Sequence, residues 1–173
     1  MKTFFLAILG LTWGVCSGKS VDDPVLEFSV LVPDSATVDV IGNETGRSAI
    51  VAYHNAATGE AFIVNAVRSN NGGFGTSHAA VVARAVEGTT ARLGKSPAYP
   101  VRTLKYGLHE LYIAQYIGVG TGAAQTLTTI FFVQERGTWR KIIVVQIVST
   151  GIKAPSDEHL LERLKAAHFR PAA

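Results

Sequence analysis

The chain has 173 residues, of which 47% are hydrophobic and 17% are charged. This balance excludes an intrinsically disordered protein, which would be rich in charge and poor in apolar residues, and the 17 glycines disfavour a coiled coil. The formal net charge of +3 is too small to indicate a nucleic-acid partner.

The N-terminus has the three parts of a secretory signal peptide. Lys2 precedes the apolar run Thr3–Trp13, and the small or short residues 14–18 follow it. A basic start, a short apolar stretch and a small-residue exit are typical of such signals, and the run is shorter than the about 20 residues that span a bilayer. We therefore predict that residues 1–18 are a signal peptide and that the protein is secreted or periplasmic.

The cleavage point is predicted between Cys16 and Lys19, where small residues precede the next charge. An uncleaved anchor is one alternative. Lipidation of Cys16, as in bacterial lipoproteins, is another, but Trp13 and Val15 depart from the small residues that usually precede the lipidated cysteine.

The mature chain is predicted to open with strands. Residues 19–24 are polar and are interpreted as a loose lead-in, whereas residues 26–32 alternate between apolar and polar side chains, as a half-buried strand does. The same kind of pattern, broken by turn residues, predicts further strands at 37–41, 48–54, 61–67, 124–135 and 139–150. Residues 101–106 and 108–118 are predicted to form one strand, or two that are broken at Gly107.

Two segments have helical spacing instead. The first is 78–93, capped by Thr76 or Ser77 and ended at Gly94, and the second runs from the cap Ser156 to about residue 167. The predicted buried face of the first helix is Ala79, Val82, Ala83, Val86, Thr90 and Leu93. That of the second is Leu160, Leu161, Leu164 and Ala167.

Consecutive strands joined by tight turns pair in antiparallel fashion. We therefore predict an α+β fold, sandwich-like, with a mostly antiparallel sheet of about six to seven strands and two helices packed on it. The sequence shows no internal linker and no transmembrane segment after the N-terminus, so residues 25–170 are predicted to form a single domain.

No motif in the sequence defines a catalytic or metal site. The glycine-rich loop at 72–75 precedes a helix, where an anion could bind, but it lacks the Walker sequence and is interpreted as a loop. The glycines at 118, 120 and 122 are interpreted as a turn. His54 and His109 lie on predicted strands and could meet in space to form a metal site. The favoured interpretation is that the histidines are scattered over the surface.

A basic hairpin is the candidate partner-binding site. It joins the two longest predicted strands, and it combines charge with an aromatic side chain, as interface hot spots do. Its residues are Arg136, Trp139, Arg140 and Lys141.

Four features of the sequence occur together: the opening segment Phe28-Ser29-Val30-Leu31-Val32-Pro33, the mid-chain helix, the late hairpin and a final helix that ends at His168-Phe169. In this organisation the chain resembles the PsbP/Mog1/DcrB-like superfamily of α/β/α sandwiches. Two features depart from that family's pattern: the aromatic residue after the opening proline is missing, and His168 stands where a serine is usual. The resemblance implies a non-enzymatic accessory or binding role in an exported compartment.

The favoured function is therefore that of an exported, non-catalytic binding or accessory protein. It would need no cofactor or metal, and its partner would be a protein or a cell-envelope component, not a nucleic acid. The alternative is a small exported enzyme, hydrolase-like, with a site assembled in space. The best residues for that site are His54, His109, Glu110 and Ser77.

Overall fold

The computed structural model of the chain describes residues 18–56, 58–69, 77–120, 124–136 and 139–171. In chain order the elements are β1 (Gly18–Asp23), β2 (Phe28–Pro33), β3 (Thr37–Asn43), β4 (Gly46–Asn55), β5 (Glu60–Ser69), α1 (His78–Leu93), β6 (Arg102–Tyr106), β7 (His109–Val119), β8 (Gln125–Arg136), β9 (Trp139–Thr150), α2 (Asp157–Ala166) and β10 (Arg170–Pro171).

The predicted fold class is confirmed. Seven strands form one sheet in the order β3-β4-β5-β9-β8-β7-β6, and every neighbouring pair in it is antiparallel. The predicted strands all form, with ends shifted by a few residues. Gly107, with a φ of 60°, separates β6 from β7. This positive φ suits glycine and lets the chain reverse there.

The strand at residues 26–32 was predicted, but the second, three-stranded sheet to which it belongs was not. This sheet has the order β1-β2-β10, and β1 pairs along its whole length with β2, from Gly18 opposite Pro33 to Asp23 opposite Phe28. The prediction of a loose lead-in at residues 19–24 is therefore wrong. The sequence hides this strand because its inward positions include the charged Asp23, which is buried in contact with Arg47 and with the backbone N–H groups of Val25 and Leu26.

Helix α1 lies over β7 and β8 on one face of the large sheet. Its bounds and its caps, Ser77 and Gly94, are as predicted. Its buried face is rotated from the prediction, because Ala79, Ala83 and Leu93 are exposed. The residues that pack on the sheet are Val81, Val82, Ala85, Val86 and Thr89.

The other face of the large sheet carries the small sheet and α2. Leu160, Leu164 and Ala167 of the second helix are buried as predicted, and Leu161 is half-buried. Leu160, Leu164 and Ala167 share one core with β2, with the inward side chains of β4, β5, β8 and β9, and with Phe169. The molecule is thus layered as helix, seven-stranded sheet, then small sheet with helix.

Neither helix within the described ranges is long and apolar enough to cross a bilayer. Residues 1–17 of the predicted signal peptide, with Cys16, and the glycine-rich loop at 72–75 lie outside the described residues. Signal cleavage and the single domain at 25–170 stay predictions.

Candidate functional site

The hairpin between β8 and β9 differs from the exposed basic tip that the sequence predicts. Lys141 is fully buried, because alternate residues of β9 face the core beneath the β1–β2 turn. Its Nζ donates to the carbonyl oxygen of Glu27 at 3.2 Å and lies 3.4 Å from Glu27 Oε2. Lys141 is therefore not available to a partner.

The other hairpin residues have internal contacts as well. Arg140 forms an ion pair with Glu135 across the strand pair, and its side chain is 15% exposed. The guanidinium of Arg68 lies 4.3 Å from the centre of the Trp139 ring. The side chain of Arg136 is outside the described part of the chain. A partner role for this hairpin stays a prediction.

Lys141 belongs to a row of basic residues that crosses three strands. Arg47 is opposite Arg68, and Arg68 is opposite Lys141. The β1–β2 turn covers the row: Asp23 pairs with Arg47 at 2.7 Å, and the carbonyl oxygen of Val25 accepts from Arg68 at 3.1 Å. Together with the contacts between Glu27 and Lys141, these interactions attach the β1–β2 turn to the large sheet.

The residues suggested for an assembled hydrolase site are not brought together. His54 is on β4 and His109 is on β7, with β5, β9 and β8 between them. Strands about 4.8 Å apart put the two at least about 19 Å from each other. Glu110 accepts a hydrogen bond from Tyr112, and Ser77 caps α1. The sheet order therefore keeps apart the two histidines that the sequence left free to meet.

A polar cluster that the sequence analysis missed is centred on Glu60, which is 7% exposed. His159 Nε2 is 3.0 Å from Glu60 Oε1, Arg163 Nε is 2.7 Å from Oε2, and Ser149 Oγ donates to Oε1 at 3.2 Å. Burial acts to raise the pKa of the Glu60 carboxyl. The hydrogen bond from His159 and the charge of Arg163 outweigh it, so the pKa lies below its ordinary value.

This cluster does not have the connectivity of a hydrolytic triad. In a triad the histidine lies between the nucleophile and the acid and takes the proton from the hydroxyl. Here Glu60 lies between Ser149 and His159. Both the Ser149 hydroxyl and the His159 imidazole contact the Glu60 carboxylate and not each other. The arrangement ties α2 to β5 and β9. Among the described residues, no group of three acidic, histidine or cysteine side chains is placed to hold a metal ion.

A groove lies on the opposite face, beside α1, and we call it the α1 groove. It has a volume of about 400 Å³. Its floor is formed by Asn65 and Val67 of β5, Phe131 of β8, and Ile142, Val144 and Gln146 of β9. Its wall is one side of the helix: Ala85, Gly88, Thr89 and Arg92.

The groove exists because α1 covers only part of its face of the sheet. The helix contacts β7 and β8 most, so β3 and β4, at the other end of the sheet, lie beyond it within the part of the chain that the structure describes. Ile50, which is opposite Asn65 and therefore on the same face, is 45% exposed. Ile41 lies farther out on that face and is 62% exposed. Two exposed isoleucines, with Asp39 and Ser48 beside them, thus lie between the groove and the edge of the sheet.

Polar groups are few in the groove and lie at defined places. Asn65 and Gln146 supply amides on the floor, and Arg92 supplies a cation at the rim. Arg92 donates to Thr89 Oγ1 at 3.4 Å, and no ion pair of Arg92 is found within the part of the chain that the structure describes. An apolar floor with a few placed polar groups is the usual make-up of a small-molecule site.

No protein-family model and no curated protein sequence matches this chain. Two solved structures share a distant likeness. A protein from Bacteroides thetaiotaomicron VPI-5482 has a TM-score of 0.48 and 15% identity; the match covers 90% of this chain and 49% of that protein, so this chain spans about half its length. LpqN, described as involved in cell envelope biogenesis of Mycobacterium tuberculosis, has a TM-score of 0.43 and 11% identity, with 88% and 86% covered.

Sequence reasoning missed both the Glu60 cluster and the α1 groove. One signal for the groove was present: Gly88 lies in the middle of α1, where glycine costs about 0.5–1 kcal/mol relative to alanine. In the structure, a Cβ at Gly88 would meet no atom within 4 Å, so the glycine leaves the groove open.

Proposed function

We propose that this protein is an exported, non-catalytic binding protein whose ligand lies in the α1 groove. The observation that supports the proposal is the groove itself, an apolar floor next to an arginine without an ion pair among the described residues. These features favour a small molecule with an apolar chain and an anionic group, such as a fatty acid or an acyl-chain component of the cell envelope.

The proposal carries forward the export and the accessory role expected from the N-terminus and from the resemblance to the PsbP/Mog1/DcrB-like superfamily. In this proposal an envelope lipid or its acyl product takes the place of a protein partner. The apolar chain would lie along Val67, Ile142 and Val144, and the carboxylate would face Arg92.

The test is an NMR titration of the purified protein with decanoate, and with decyltrimethylammonium as a probe of the same chain length and opposite charge. Decanoate is expected to shift the amide signals of Asn65, Gly88 and Gln146, and the cationic probe is expected to bind more weakly. Arg92→Gln should lower the affinity for decanoate about three- to fivefold, the effect of one solvent-exposed ion pair.

Gly88→Leu is designed to fill the groove without harming the fold. Open space surrounds the position, and replacing a helical glycine raises helix stability by up to about 1 kcal/mol. We expect decanoate binding to be lost while the melting temperature stays or rises. Ala91→Leu adds the same side chain at an exposed position of the helix, outside the groove, and should bind normally. Normal binding by Gly88→Leu would contradict the proposal.

A further inference from the structure

The strand β3 forms one edge of the large sheet, and its outer side is unpaired within the described residues. It pairs only with β4, and all seven of its residues are exposed. An exposed edge presents free backbone N–H and C=O groups, which readily pair with a further strand.

The edge lacks the usual protection against such pairing. Between Thr37 and Asn43 there is no lysine or proline, and Asp39 is the single charged residue. Val38 is 38% exposed, Val40 is 39% exposed and Ile41 is 62% exposed. The opposite edge strand, β6, differs: it is five residues long and contains Arg102 and Lys105. Of the two edges, β3 is therefore the one suited to pairing.

We propose that β3 pairs with β3 of a second copy of this chain, in an antiparallel dimer centred on Val40. Around that centre the whole strand is complementary to itself. Val40 lies opposite Val40 of the second copy, Val38 opposite Gly42, and Thr37 opposite Asn43. Asp39 lies opposite Ile41, so no like charges face each other.

Two neighbouring registers are disfavoured by geometry and charge. A shift of the pairing by one residue would turn one sheet over. The α1 face of one copy would then lie beside the small-sheet face of the other. A symmetric pairing centred on Asp39 would bring the two carboxylates directly opposite each other, which is destabilising. A two-fold axis at Val40 gives a closed dimer, the commonest symmetric assembly.

The dimer would also join the two open sheet faces. Ile41 and Ile50 lie on the face that leads to the α1 groove, next to the β3 edge. Two copies joined at β3 would place Ile41 of each chain beside Asp39 of the other, so the open faces of the two sheets would form one continuous surface.

Sedimentation equilibrium of the purified protein tests the proposal, and we expect twice the mass of one chain. Val40→Lys and Val40→Asp should each be monomeric, because like charges then face each other at the centre of the interface. An equal mixture of the two variants should recover the dimer, because lysine then faces aspartate. Recovery also shows that neither substitution had unfolded the chain.

Thr103→Lys on β6 is the matched control, since it adds the same charge at an exposed position of the other edge strand. It should leave the dimer intact. A monomeric native protein, or a dimer that Val40→Lys leaves intact, would overturn the proposal. Decanoate binding by the α1 groove is measured separately, so failure of the dimer leaves that proposal standing.

Discussion

Lys141 illustrates how one side chain changes role between sequence and fold. Next to Arg140 and Trp139 it is part of a basic cluster, but β9 places it beneath the β1–β2 turn with no exposed surface. Its ammonium group meets Glu27, and it lies 5.7 Å from the centre of the Phe132 ring. A buried ammonium must keep such partners, because an unpaired buried charge is strongly destabilising.

We predict that Lys141→Ala lowers the free energy of unfolding by about 2–3 kcal/mol, since it removes the packed aliphatic stem and leaves the Glu27 carbonyl without this donor. Lys141→Met, which keeps the stem, should lose less. Urea unfolding measures both. Lys105→Ala, an exposed lysine on β6, should change the unfolding free energy by no more than about 0.5 kcal/mol. Equal losses in Lys141→Ala and Lys105→Ala would contradict a buried structural role.

At the scale of elements, α2 is held to the large sheet by charge as well as by its apolar side. Leu160 and Leu164 fill the core, and His159 and Arg163, on the same helix, reach Glu60 at the start of β5. The helix also begins with a good cap, since the N–H of His159 donates to Ser156 Oγ at 3.3 Å.

This link is predicted to make stability depend on pH. The pKa of Glu60 is lower in the folded protein than its ordinary value. The ionised carboxylate therefore stabilises the fold above the ordinary glutamate pKa, and this contribution is lost as the pH falls through the lowered folded pKa. Glu60→Gln should reduce the unfolding free energy by about 1–3 kcal/mol near neutral pH and much less in acid.

Urea unfolding at a series of pH values measures this difference. Glu44→Gln, in the exposed β3–β4 turn, serves as the control and should follow the wild-type curve. A constant difference between Glu60→Gln and the wild type at every pH would show that the loss comes from packing and not from the charge of Glu60.

On the scale of the whole molecule, the predicted cleavage point lies next to a strand. β1 begins at Gly18, whose register partner is Pro33, and Lys19 Nζ donates to the carbonyl oxygen of Ala36 at 3.1 Å. Cleavage just before Gly18 or Lys19 would therefore leave β1 almost complete.

Intact-mass measurement of the protein from its native compartment tests export. We expect a chain that begins at residue 17, 18 or 19 and carries no added lipid. A lipid-sized increment on Cys16 would support the lipoprotein alternative, and a retained Met1 would contradict both. A chain that lacks residues 1–23 should be less stable than one that begins at residue 18, because Asp23 is the partner of Arg47.

Local sequence was sufficient for most of the elements. The two-residue period predicts the strands of the large sheet, and the caps Ser77, Gly94 and Ser156 mark helix ends that the structure confirms. These features are predictable because alternation and capping depend on neighbours within a few residues. β1 was not predicted, because its burial depends on a distant residue: its inward Asp23 is neutralised by Arg47, which lies 24 residues away.

The candidate sites depended on tertiary structure. The sheet order puts three strands between His54 and His109 and brings Glu60 to His159, which is 99 residues away in the chain. The position of α1 over β7 and β8 leaves the groove open, and the edge position of β3 leaves its outer backbone groups without a strand partner among the described residues. Strand order and helix placement arise from the packing of distant surfaces, and periodicity within one segment contains no information about them.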